Sequence, residues 1–158
     1  MIEIKQQGSG QVLLVVEAES LENASLPNAN LARADLAGQV LTGADLRRTV
    51  LRGALLRGAK LDFADLTGAD LTGADLSGAD LTTATLNLAN LSGAKLDRAE
   101  LYGADLFGAN LANASLVGAG LRGVDLDSAT LPGARLDGCI TDSSTRWPEG
   151  FEPPVPAN

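Results

Sequence analysis

Carboxylates recur at intervals of twenty residues along this chain, Asp45 with Asp65 and Asp105 with Asp125, and Thr85 stands midway between the pairs. If the chain stacks at that interval, the column of Asp45, Asp65, Asp105 and Asp125 either imitates a row of phosphates or solubilises the surface while its oxygens hydrogen-bond the adjoining turns. The second reading is the simpler and is favoured. One lone carboxylate per level offers no converging ligands, so no metal is expected. Residues 33–60 carry Arg33, Arg47, Arg48, Arg52, Arg57 and Lys60 against Asp35 and Asp45, a net of +4. Residues 61–94 carry Asp62, Asp65, Asp70, Asp75 and Asp80 with no basic residue, a net of −5. Such bands are ordinarily solvated surface. Their functional reading is a docking site, strengthened by Val40, Val50 and Leu55, which stand outward among the arginines.

Little else in the chain supports a reaction. There is no histidine to activate Cys139, the single cysteine, which reads as a small inward residue. A Cys/His metal cluster and an intramolecular disulfide are both excluded. No nucleophile pair, general base or glycine-rich phosphate loop is recognisable, so neither an enzyme nor a cofactor is expected. The net charge of −8 and a pI near 4.4 disfavour direct nucleic-acid binding. Val12 to Val16, the longest apolar run near the N-terminus, follows no basic cluster and is too short for a signal segment or a membrane span. A soluble, cytoplasmic protein without membrane contact is expected. Tyr102 and Phe107 point outward, either as an interface, where aromatics are enriched, or as cover over a turn.

What positions these side chains is a repeat. Leucine stands at every fifth position from Leu21 to Leu136, twenty-four times without a break. On the same beat from Ala24 to Cys139, twenty of twenty-four residues are alanine, the exceptions being Gln39, Thr49, Val124 and Cys139. A period of five suits neither an amphipathic helix nor a flat alternating strand, so a turn must reset the chain in every repeat. Two positions after leucine, fourteen of twenty-four residues are glycine, as the third residue of a type II turn prefers. The ten repeats without it, among them Arg48, Phe63, Leu88 and Arg98, are expected to turn differently. With right-angled turns, four repeats close a coil and residues twenty apart stack. Leu and Ala then fill the core, with each buried leucine worth roughly 1.5–3 kcal/mol before chain entropy is subtracted.

Over roughly Leu21 to Cys139, as in ADLTGADLTGADL from Ala69 to Leu81, the chain resembles the pentapeptide-repeat family, whose motif is Ala-(Asp/Asn)-Leu-Xaa-Xaa. The resemblance implies an all-β fold, a right-handed quadrilateral β-helix. Its expected six coils make a rod about 29 Å long at roughly 4.8 Å per level. The unbroken phase and the tail are similar to small cyanobacterial members. The resemblance implies a non-enzymatic scaffold or protein-interaction module whose protein partner is unidentified. Its alternative is a DNA mimic acting on gyrase or another topoisomerase, although members of that kind carry a dimerising C-terminal helix or projecting loops and this phase never slips.

One domain, 1–158, is expected. Residues 1–17 alternate as a strand or hairpin that caps the first coil, and 18–140 form the helical solenoid. Residues 141–158, with Trp147 and Phe151 over the last coil, form an irregular cap and a mobile proline-rich tail. A monomer or weak homo-oligomer is expected.

Overall fold

The computed structural model describes residues 1–154, so the expected mobility of the final residues falls partly outside them. Parallel bridges join each outward residue to the one twenty positions later, from Ser25 with Asp45 to Gly120 with Ile140. Four faces result, with outward columns that start at Ser25, Asn30, Asp35 and Val40 and run toward the C-terminal end.

Each repeat places its five backbone amides in a fixed way, as the stretch from Asp70 to Ala74 illustrates. Asp70 N–H donates to Thr49 O in the coil before, at 3.0 Å. Leu71 and Gly73 donate to Asn90 O and Ser92 O in the coil after, at 2.7 and 2.9 Å. Ala74 N–H closes the corner on Leu71 O at 2.9 Å. The remaining amide, Thr72 N–H, points at no backbone acceptor and is taken by Asp70 Oδ1 at 3.2 Å. Buried or half-buried backbone groups need partners, so an Asp or Asn just before leucine completes the corner. Pro27 and Pro132 solve the same problem by having no amide hydrogen, where Ser25 and Thr130 replace the aspartate.

The corners are of one kind. The ten non-glycine residues expected to turn differently all have positive φ, from 54° to 60°, beside 60° to 71° for the glycines at that position. The residue before each of them is not left-handed, which leaves the type II pattern throughout. Tertiary hydrogen bonding on both sides of the corner overrides the preference of Phe63 or Leu88 for negative φ.

Inside, the leucines at every fifth position from Leu31 to Leu126 have at most 1% exposure, stacked with the alanine column. Thr49 fits that column because its hydroxyl donates to Leu26 O at 2.9 Å. Gln39, expected on the same phase, lies exposed in the first coil.

β1 (Ile2–Lys5) and β2 (Val12–Val16) form an antiparallel hairpin. β1 leads onto the first coil: Gln7 N–H donates to Arg33 O at 2.9 Å, Asp35 N–H donates to Lys5 O at 2.8 Å, and Ile4 is buried. At the other end the ladder does not stop near residue 140. A one-residue insertion lets Arg146 pair with Asp125, and Thr145 enters the inward column with its hydroxyl on Leu121 O at 2.8 Å. Trp147 and Phe151 stack at 5.2 Å and pack against the core.

Candidate interaction surface

The carboxylate column lies on one face, in the order Ser25, Asp45, Asp65, Thr85, Asp105, Asp125 and Arg146. Its oxygens are engaged in holding corners. Asp65 accepts Thr67 N–H at 3.0 Å and Asp125 accepts Asp127 N–H at 2.9 Å. Asp105 accepts Phe107 N–H at 3.1 Å and, on its other oxygen, Asn87 Nδ2 at 3.0 Å. Cations close both ends: Arg47 is 2.7 Å from Asp45, and Arg146 is 2.7 Å from Asp125. The Arg47 guanidinium hydrogen-bonded to Asp45 holds that carboxyl below its ordinary range. Among the described residues no cluster of three His, Cys, Asp or Glu side chains is placed to hold a metal ion.

The basic band and the acidic band are joined within the chain. A side chain just after leucine reaches the outward residue eighteen positions later, one coil on. Arg52 pairs with Asp70 in this way, and Arg57 pairs with Asp75 at 2.6 Å. Burial works to raise both carboxyls, yet hydrogen bonds from Thr72 and Arg52 to Asp70, and from Arg57 and Ser77 to Asp75, bring them below the ordinary value. Arg47 also lies 3.9 Å from Asp65. The guanidiniums of Arg47, Arg52 and Arg57 are therefore ion-paired within the chain while their side chains stay largely exposed. Arg48 makes no ion pair among the described residues, and its stem lies over Gly68.

The apolar residues of that band differ in exposure. Val40 is 38% exposed, but Val50 and Leu55 are half-buried, each bridged by polar residues of the coils before and after. Neighbouring coils cover side chains that an outward position in a single repeat leaves bare. Cys139 is buried, and burial pushes its thiol up, away from the reactive thiolate.

A different apolar group is open. Tyr102 and Phe107, as expected from the sequence, are 59% and 45% exposed. They are joined by Phe63 at 66% and Leu88 at 65%, which reading the sequence one repeat at a time had treated only as atypical turns. Phe63 and Tyr102 line one corner of the carboxylate face, and Leu88 and Phe107 line the opposite corner. Backbone bonds fix these placements: Leu88 N–H donates to Phe107 O at 2.9 Å, while Phe63 N–H donates to Thr82 O at 3.0 Å and Thr83 N–H to Tyr102 O at 2.8 Å, which sets Phe63 and Tyr102 two coils apart. Thr85, where the aspartate column is interrupted, lies between them. The signal was legible only in the twenty-residue register, as large apolar residues at corner positions of three successive coils.

Asn87 sits in the same patch. Its Oδ1 is buried with no hydrogen-bond partner, while its Nδ2 is committed to Asp105.

Fold and surface together define a β-solenoid of five-residue repeats whose variable chemistry is confined to the outward and corner positions. The chain belongs to the pentapeptide repeat family, whose members form right-handed β-helices: the family model "Pentapeptide repeats" matches in eight copies over residues 20–53, 40–73, 51–87, 74–111 and 104–140. Among solved structures, it is similar to HetL, a pentapeptide repeat protein involved in heterocyst differentiation regulation from the cyanobacterium Nostoc sp. strain PCC 7120. Identity is 40% over 75% of this chain and 57% of that one, with a TM-score of 0.49. A pentapeptide repeat protein of the Arabidopsis thaliana thylakoid lumen is 37% identical over 65% of this chain and 68% of its own, with a TM-score of 0.42. QnrB1, a plasmid-mediated fluoroquinolone resistance protein, is 21% identical over 77% of this chain and 83% of its own, with a TM-score of 0.34. The chain thus spans little more than half of HetL. No match is found among curated proteins. No helix among the described residues is long and apolar enough to cross a membrane.

Proposed function

We propose that the chain is a non-enzymatic, cytoplasmic interaction scaffold that engages a protein partner through the face bearing Asp65, Thr85 and Asp105, with Phe63, Leu88, Tyr102 and Phe107 as its apolar rim. The observation that carries this reading is the conformation of Phe63 and Leu88. Both have φ of 59° and both are exposed. An L residue in the left-handed region costs roughly 1–2 kcal/mol, and exposed apolar surface offsets none of it. Side chains that burden the fold while facing solvent point to a use outside folding. Large apolar anchors around a polar centre match the composition of interface hot spots.

The test uses two double variants, Phe63→Gly with Leu88→Gly, and Tyr102→Ser with Phe107→Ser. The glycine pair should melt no lower than wild type, because relief of the left-handed penalty outweighs the added freedom of the unfolded chain. Both variants should lose the protein that the wild-type chain captures from host extract. Capture of that same protein by both variants, with unchanged yield, would overturn the reading. The DNA-mimic alternative relies on free carboxylates, whereas the oxygens of this column hold corners and pair with arginines at its ends. Inhibition of gyrase supercoiling that survives in both variants but is lost on neutralising Asp65 and Asp105 would replace the scaffold with the mimic.

A further inference from the structure

We infer that the free edge of β2 is a junction between two copies of this chain, joining their solenoids base to base through antiparallel β2–β2 pairing. The hairpin continues the coil's own hydrogen-bonded layer, because Gln6 pairs antiparallel with Ala34 and β1 then pairs with β2. The C-terminal end of β1, at Lys5, is thus held from both sides. β2 pairs with β1 alone among the described residues, so the backbone groups on its far side have no strand to meet.

That edge carries one protective device, a bulge at Leu13 opposite the Ile4–Lys5 step, and lacks the others. Edge strands are ordinarily blunted by lysine, proline or an inward charge. Val12–Val16 reads VLLVV, without a charge or a proline, and none of its five residues is buried. Val12 and Val15 are 41% and 43% exposed, and Met1 nearby in the hairpin is 75% exposed.

Charge selects the partner and its direction. Gln11 precedes the strand and Glu17 follows it. Parallel pairing of two copies would set Glu17 against Glu17. Antiparallel pairing separates them and turns each toward the opposite strand end of the other copy, where that copy's own Val12 and Lys5 are paired and Lys5 also lies 3.0 Å from Glu3. An antiparallel strand is also its own complement about a twofold axis, which closes the assembly at two copies.

The contact is small. Five residues extend about 17 Å, and the edge with its valines covers less than the roughly 800 Å² per partner typical of a stable interface. A reversible, concentration-dependent dimer is therefore expected, and a constitutive one is not.

The experiment is sedimentation of the full chain across a wide dilution series. Wild type should pass from monomer toward dimer mass as concentration rises. Val12→Lys with Val15→Lys should remain monomeric at every concentration, as should Val12→Glu with Val15→Glu, because four like charges are then gathered along the short shared edge. Mixing the two variants should restore a dimer, which separates a lost interface from a damaged fold. Wild type that stays monomeric throughout overturns the inference, as do variants that associate like wild type or a mixture that stays monomeric.

Discussion

Replacing Asp105 separates what its shape contributes from what its charge contributes. Asp105→Asn keeps an oxygen in place for Phe107 N–H, whereas Asp105→Ala removes it. The bond at stake is the 3.1 Å cap on a corner amide. Loss of a comparable side-chain cap at a helix N-terminus costs about 1 kcal/mol. The full penalty of a buried, unsatisfied amide, up to about 3 kcal/mol, does not apply because the Phe107 corner is open enough for water to replace the carboxylate. The alanine variant should therefore melt about 2–4 °C lower, the shift that 1 kcal/mol produces in a domain of this size. The second oxygen accepts Asn87 Nδ2 at 3.0 Å, and an amide there would present a donor to a donor. Rotation of Asn87 removes that conflict, because it brings the unpartnered Oδ1 of Asn87 toward the new amide. An Asn-over-Asn contact already exists one face away, where Asn110 Nδ2 lies 3.4 Å from Asn90 Oδ1. Asp105→Asn should then melt within about 1 °C of wild type, corresponding to a few tenths of a kcal/mol. Thermal unfolding by circular dichroism at neutral pH reads both variants. Equal losses for Asn and Ala would mean that charge, and not the cap, accounts for aspartate in this column, and the corner argument would fail.

Leu71 has 0% exposure midway along the solenoid, so Leu71→Ala should lose about 3–5 kcal/mol, whereas Thr72→Ala at the adjacent corner should stay within about 1 kcal/mol. Comparable denaturant midpoints for the two would refute the assigned register. Acid should expose the Arg52–Asp70 and Arg57–Asp75 pairs, because both carboxyls are held below their ordinary value in the folded chain. A depressed folded value stabilises above the unfolded value and is lost as pH falls through the folded one. The melting gap between wild type and the Arg52→Gln, Arg57→Gln variant should therefore be present at neutral pH and close as pH falls below the ordinary carboxylate range. A gap of constant size would show that the arginines act through packing alone.

Much of this fold is written in single repeats. Leucine and alanine at fixed phases specify what is buried, and the frequent glycine two positions after leucine specifies where the chain turns. The preference for Asp or Asn before leucine follows from one corner amide that the backbone ladder leaves over. These are local rules, so they survive being read one pentapeptide at a time. What the stacking decided lies in relations between coils, which no single repeat contains. Arg52 and Arg57 look like free cations in sequence, but an eighteen-residue reach ties them to Asp70 and Asp75 one coil on. Val50 and Leu55 look exposed, but the coils on either side half-cover them. Phe63 and Leu88 look like irregular turns, but hydrogen bonds from both neighbouring coils hold them in the same corner as glycine and turn their side chains to solvent. In each case the deciding partner is about twenty residues away, and the physical reason is the closed coil: it brings that partner within about 4.8 Å along the axis, a closeness that local propensity does not encode.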